Sequence, residues 1–405
     1  MSDASQSGTA GNLLQPTPDS SQRLYYLDWL RLFLIIGVFL YHALHPFDSF
    51  LYWHIKNAEQ SDFIVTLLLL INPWGMPLFF LVAGCGSWFA LRRRSNRQFI
   101  TERINRLLIP FIAGCILLTP IQEYLEAIHH GTFQGSFSSF IPEMLARNAS
   151  EFVLSPHLFG RWGMHLWFLA FLFAYCLLGL PVFNWFRKES GQRFISRLGD
   201  LVEKRGGILI FIIPLTLSRV VIQPFFPGVQ HGWLDFVYSL LFFIFGYIFF
   251  TDERIVKAVR RDRWLLFGGG MFSMVAYGGL YAAFGDITLE WGQGFVMPWS
   301  PVLIFIFVLM SWCFAIWVFS LAMTGLDFTN RWRDYGNGTI MPFYVFHQPV
   351  IIAIAFFVVQ WNAGLAVKIP VVVISSFFIT FGLIELLIRP FKPARTLLGM
   401  KPRGG

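Results

Sequence analysis

Charge is what this sequence has least of. Only 13% of its 405 residues are Asp, Glu, Lys or Arg, against about 25% in a soluble domain. A chain this long with so few charges cannot cover its surface for water. That excludes an ordinary cytosolic enzyme, and with it the fibrous and disordered classes. Cysteine is scarce as well: Cys85, Cys115, Cys176 and Cys313 all lie inside apolar runs. None makes a C-x-x-C pair, so a disulfide scaffold is excluded and the four read as small core residues. No metal-ligand cluster is visible, and no metal is expected. Ahead of the first apolar run there is no basic segment followed by a short apolar core, so no cleavable signal peptide is recognised. Residues 1–22 read instead as a disordered cytoplasmic tail, and the first apolar helix as an uncleaved anchor. Internal repeats and soluble accessory domains are also missing.

What remains is apolar. Hydrophobic residues make up 56% of the chain, with 47 Phe and 15 Trp. A membrane-spanning helix needs about 20 largely apolar residues, and about ten such segments follow one another at 24–46, 63–91, 104–122, 165–186, 207–224, 233–250, 264–284, 299–323, 339–360 and 367–388. The expected fold is all-α: a polytopic membrane helical bundle over 23–390, closed by a basic cytoplasmic tail at 391–405. Pro73 and Pro77 in the second segment predict a kink or a re-entrant start there. The formal net charge of +8 is explained by position. With the N-terminus in the cytoplasm and sides alternating, the opposite side holds only Lys56, Arg147, Arg161 and Lys368, as the positive-inside rule requires. Both termini are therefore expected in the cytoplasm, and no nucleic-acid partner is needed.

Charged groups inside spans are costly and tend to mark function. The first span carries Asp28, Arg31, His42 and His45. Arg31 and His42 are eleven residues apart, close to three turns, so they share one face. Along the axis they are separated by about 16 Å. Asp28 can pair with Arg31, three positions on. His45, beside Pro46, fits an interfacial histidine. Glu123 and Glu126 close the third span, His165 opens the fourth, and His347 lies within the ninth. Arg219 in the fifth fits either a functional cation or one that snorkels to the interface. Glu385 and Arg389 read as an end-capping pair. Gly268-Gly269-Gly270 lies within an apolar span and is no phosphate loop.

These residues resemble a known signature. Arg31 and His42 with ten residues between them, Met76-Pro77-Leu78-Phe79-Phe80-Leu81-Val82-Ala83-Gly84, Arg103-Ile104-Asn105-Arg106 running to Pro110, His165-Leu166-Trp167, and Tyr344-Val345-Phe346-His347-Gln348-Pro349 are similar, in order, to landmarks of the integral-membrane acyltransferase-3 family. Ala83 departs from the family's usual Ser. Trp53-His54 and the Glu385 to Arg389 ending are similar to its glucan-biosynthesis branch. The resemblance implies an acyltransferase, moving groups other than aminoacyl, of the acetyl or succinyl type. The donor would be a cytoplasmic acyl-CoA and the acceptor a glycan or other hydroxyl reached from the outer side of a bacterial inner membrane. His42 would act as general base with Glu123 orienting it, and Arg31, Arg103 and Arg106 would hold donor phosphates. Asp28, His165, Trp167 and His347 would support them. No tightly bound cofactor is implied. A covalent acyl relay on His42 stays open, as does a multi-span transporter or flippase for a small polar or acyl-bearing substrate. Against the transporter stands the lack of a second Pro-interrupted span to match the first.

Overall fold

The computed structural model of the chain describes residues 24–49, 52–226, 230–284 and 300–400. The expected N-terminal tail and positions 401–405 of the expected C-terminal one lie outside the described residues. In chain order the helices are α1 (Tyr25–Phe47), α2 (Asp62–Arg93), α3 (Asn96–His129), α4 (Phe137–Ser150), α5 (His157–Phe186), α6 (Glu189–Glu203), α7 (Gly207–Ile222), α8 (Trp233–Phe249), α9 (Glu253–Arg261), α10 (Arg263–Phe284), α11 (Ser300–Gly325), α12 (Arg331–Val358), α13 (Leu365–Ile388) and α14 (Lys392–Leu397). Among the described residues β structure is limited to one isolated bridge, Asp48 to Ser61. The fold is an all-α membrane bundle. Every one of the expected apolar segments is a helix. Seven are long and apolar enough to cross a membrane, or up to eight if α8 and α9, bent by 107°, form one broken span.

Prolines set several of the inter-helix contacts. Pro77 has no N–H to give the carbonyl of Pro73 four residues back. That carbonyl instead accepts the Ser311 hydroxyl of α11 at 2.6 Å. The segment therefore continues as one helix, α2, and the expected re-entrant start does not occur. In a bilayer each freed backbone group needs a partner of this kind.

The backbones of α2 and α8 touch. A side chain at Gly84 would collide with the carbonyl of Phe243, and one at Gly246 with the carbonyl of Leu81. Small residues permit such approach between membrane helices, where dispersion rather than water drives association. Around this contact the core is aromatic. Phe183 stacks on Tyr247 at 3.8 Å, and buried Trp312 is ringed by Phe211, Phe242 and Phe245 and donates Nε1–H to the carbonyl of Ile208 at 3.1 Å.

Arginines pin the connections. Arg254 reaches Asp200 at 2.5 Å and the carbonyl of Ser196 at 3.0 Å, tying α9 to α6. Arg219 does not snorkel: it is 5% exposed, lies 3.6 Å from Asp235 and covers the rings of Tyr238 and Phe307. Glu385 binds Arg389 through both oxygens at 2.9 Å and accepts the Tyr335 hydroxyl at 2.6 Å.

Candidate active site

Three helices bring three histidines together. His42 ends α1, His165 sits in a 3-10 turn before the long part of α5, and His347 lies in α12. The His347 ring is stacked over His42 with centroids 5.2 Å apart, and meets His165 edge-on at 5.1 Å. The partners fix where the hydrogens are. His347 Nδ1 lies 2.6 Å from the carbonyl oxygen of Tyr344. A carbonyl only accepts, so Nδ1 carries the hydrogen and Nε2 of the neutral ring is an acceptor. That acceptor is 3.2 Å from His42 Nδ1. His42 therefore donates from Nδ1 and keeps its lone pair on Nε2.

The short string His347-Gln348-Pro349 organises this cluster. Pro342 and Pro349 lie inside α12, so a second proline-interrupted span exists and the expectation that there is none does not hold. Pro349 cannot donate to the carbonyl of Val345, four residues back. His165 Nε2 takes that carbonyl at 3.1 Å, and the Tyr344 hydroxyl donates to the carbonyl of His165. Gln348 Nε2 lies 3.3 Å from Gln122 Oε1 and 3.4 Å from His54 Nε2. One turn of α12 thus holds α5, α3 and the connection after α1 together.

The connection after α1 folds over the same end. Trp53 lies between His42 and His54, with ring centroids 5.2 and 4.7 Å away, and stacks on His45 at 4.7 Å. His45 Nδ1 binds Asp48 at 2.7 Å, and Lys56 closes on the same carboxylate at 3.0 Å. Burial pushes the Lys56 amine below its ordinary value, and Asp48 counters the shift. His54 Nδ1 is 2.6 Å from Glu126 Oε2, whose other oxygen accepts the Tyr52 hydroxyl at 2.5 Å. Among the described residues no three His, Cys, Asp or Glu side chains are arranged as metal ligands.

At the other end of α1 the groups are cationic. Arg31 is 3.6 Å from Asp28 and passes over α2 at Gly86, where a Cβ would stand 2.5 Å from its Nη2. Arg103 and Arg106 are near enough to act on its charge. Arg103 precedes, and Arg106 lies within, a π turn over Ile104–Leu108 in α3, a widened geometry frequent at functional sites. Arg106 faces Glu102 at 3.4 Å. Arg103 covers the Phe99 ring at 4.6 Å, and its buried Nε has no partner.

The structure thus brings His42, His165 and His347 into one cluster and Asp28, Arg31, Arg103 and Arg106 into another. Two residues of the sequence reading have other partners. Glu123 is buried and its carboxylate is bound by Arg147 of α4. Trp167 stacks on His231 at 4.1 Å. Sequence reasoning passed over Trp53, His54, Glu126 and Gln348 as site residues. Their signal was slight: a Trp-His pair in an outer connection, and a Gln next to a histidine already singled out.

Fold and site together are those of a polytopic membrane helical bundle with a histidine cluster towards one end of α1 and Arg31 three turns away. The acyltransferase domain family matches residues 24–387, and the chain belongs to that family, acyltransferase-3. It is an integral membrane protein that transfers acyl groups. The chain is 20% identical over 339 residues to proteins named glucans biosynthesis protein C from Salmonella agona, Salmonella paratyphi A and Salmonella enteritidis, a match that covers 81% of this chain and 82% of each relative. No solved structure matches it.

Proposed function

We propose that the protein carries an acyl group of the acetyl or succinyl type from a cytoplasmic acyl-CoA to a glycan hydroxyl at the outer face of the bacterial inner membrane. The observation that carries this reading is the bond from His42 Nδ1 to His347 Nε2, which leaves His42 Nε2 as the base. His42 Nε2 takes the proton of the acceptor hydroxyl as its oxygen bonds to the acyl carbon. The C–S bond of the thioester then breaks, and the thiolate leaves with that proton. His347 orients His42, and Glu123 is given no step.

The distance along α1 supports direct transfer. Arg31, Arg103 and Arg106 hold the donor phosphates, since guanidinium forks match phosphate oxygens. Arg31 and His42 are about 16 Å apart along the axis. An extended pantetheine arm, comparable to four or five residues of chain, reaches about 16 Å. The thioester can then meet the acceptor beside His42 with no acyl-histidine intermediate. The basic residues support the orientation. With both termini in the cytoplasm, the four basic residues then on the outer side are each engaged, Lys56 with Asp48, Arg147 with Glu123, Arg161 with Glu151 and Lys368 with Asn57. The name of the relatives favours a glucan as the acceptor.

The test is mass spectrometry of envelope glycans from cells with the gene intact, deleted, or carrying His42→Ala at normal expression. The expected result is an acyl mass increment present only with the intact gene. Unchanged glycans in all three strains would remove the glycan reading.

A further inference from the structure

Around His42, three buried polar atoms on three different elements have no hydrogen-bond partner: His165 Nδ1, Gln348 Oε1 and Trp53 Nε1. Their roles follow from their neighbours. His165 Nε2 donates to the carbonyl of Val345, so Nδ1 is a bare acceptor in the neutral ring. Gln122 Nε2 donates to the carbonyl of Leu118, which turns Gln122 Oε1 towards the Gln348 amide nitrogen. The free end of Gln348 is therefore its carbonyl oxygen, a second acceptor. Indole Nε1–H is a donor only. His165 is 6% exposed and Gln348 1%. A buried polar group left unsatisfied costs about 1–3 kcal/mol, and three around one base are retained at that cost.

These atoms belong to one place. The His165 ring centroid is 6.5 Å from that of His42, and Trp53 is 5.2 Å from it. Gln348 reaches the same place through His54, whose Nε2 is 3.4 Å from its amide nitrogen and whose ring is 4.7 Å from that of Trp53. We infer that His165 Nδ1, Gln348 Oε1 and Trp53 Nε1 form the subsite for a polyhydroxyl acceptor, with His165 accepting a hydrogen bond from a hydroxyl that neighbours the reacting one. Two acceptors and one donor suit a sugar ring, in which every hydroxyl both gives and takes a hydrogen bond. A single alcohol would satisfy at most His42 and one of the three. Amide groups of the donor's arm share the donor chemistry, and the test separates that source from the acceptor's hydroxyls. The inference rests on the proposed role of His42 as base towards an acceptor hydroxyl. It adds the reading of a second hydroxyl.

The test uses purified full-length protein in lipid nanodiscs, succinyl-CoA or acetyl-CoA as donor, and a gluco-oligosaccharide with its monodeoxy analogues as acceptors. With the wild type, removal of the hydroxyl next to the acylated one lowers kcat/KM about tenfold or more. With His165→Phe the intact acceptor suffers a similar loss, and the deoxy analogue is no longer disfavoured relative to it. Equal rates on intact and deoxy acceptors with the wild type would overturn the subsite, and that arm needs no variant to fold. A His165→Phe effect confined to the KM of the acyl-CoA would overturn it in favour of the donor's arm. Failure of the wild type to acylate any of these sugars would instead count against the glycan reading itself.

Discussion

His347 Nε2 accepts a hydrogen bond of 3.2 Å from His42 Nδ1, while its own Nδ1 is committed to the carbonyl of Tyr344. The base proposed for the site is therefore held by another imidazole, where many hydrolases use a carboxylate. His347→Phe keeps the ring volume and removes the acceptor. Turnover should fall about 10²-fold, with the KM of donor and acceptor changing little. His347→Gln offers an amide oxygen in its place and should recover part of the loss. A purely structural role would give no such ranking, so steady-state kinetics on the two variants decide it.

Arginine geometry makes the second prediction. If Arg31 and Arg103 bind phosphate oxygens as forks, replacement of either by Lys keeps the charge and loses paired donation. The KM for acyl-CoA should rise about tenfold, with kcat held within a small factor. A fall in kcat at unchanged donor KM would argue against phosphate binding.

Packing of α2 on α8 predicts a stability effect far from any substrate. Gly84→Ala and Gly246→Ala each place a methyl against a carbonyl of the facing helix. Overpacking of this kind costs about 1–3 kcal/mol, and the thermal midpoint should drop. Gly268→Ala in α10 meets nothing within 4 Å and should leave the midpoint unchanged.

Acid should weaken the fold through His231, in the connection before α8. Its ring stacks on Trp167 and lies where a side chain at Gly160 would collide. Burial, and to a smaller extent His157, push it from the ordinary 6.5 to about 3. The folded state keeps the ring neutral while the unfolded chain takes up a proton below pH 6.5. Stability is therefore full above that value and is lost as pH falls towards 3, by up to about 1.4 kcal/mol per unit. Thermal unfolding of His231→Phe should depend less steeply on pH between 6.5 and 5 than that of the wild type.

Much of the fold could be read from the sequence, because a bilayer demands long apolar helices and the chain has few other choices. Arg31 and His42 were legible as a pair since both lie on α1 and helical periodicity relates them. Whatever depended on two different helices was not. Glu123 was matched to His42 by depth alone, whereas Arg147 of α4 claims its carboxylate. Trp167 was taken with the motif that contains His165, yet neighbouring residues point in different directions, and its ring faces His231. The effect of Pro349 on His165 acts through a carbonyl freed on a helix 180 residues away. No local pattern records a contact of that kind.

The most direct measurement is the rate at which purified wild-type and His42→Ala proteins, both monodisperse in nanodiscs, move an acyl group from acyl-CoA to a gluco-oligosaccharide. A base at His42 Nε2 predicts a loss of about 10²–10⁴-fold in kcat with acyl-CoA binding retained. Turnover by His42→Ala within about threefold of the wild type, less than 1 kcal/mol in barrier, would contradict it.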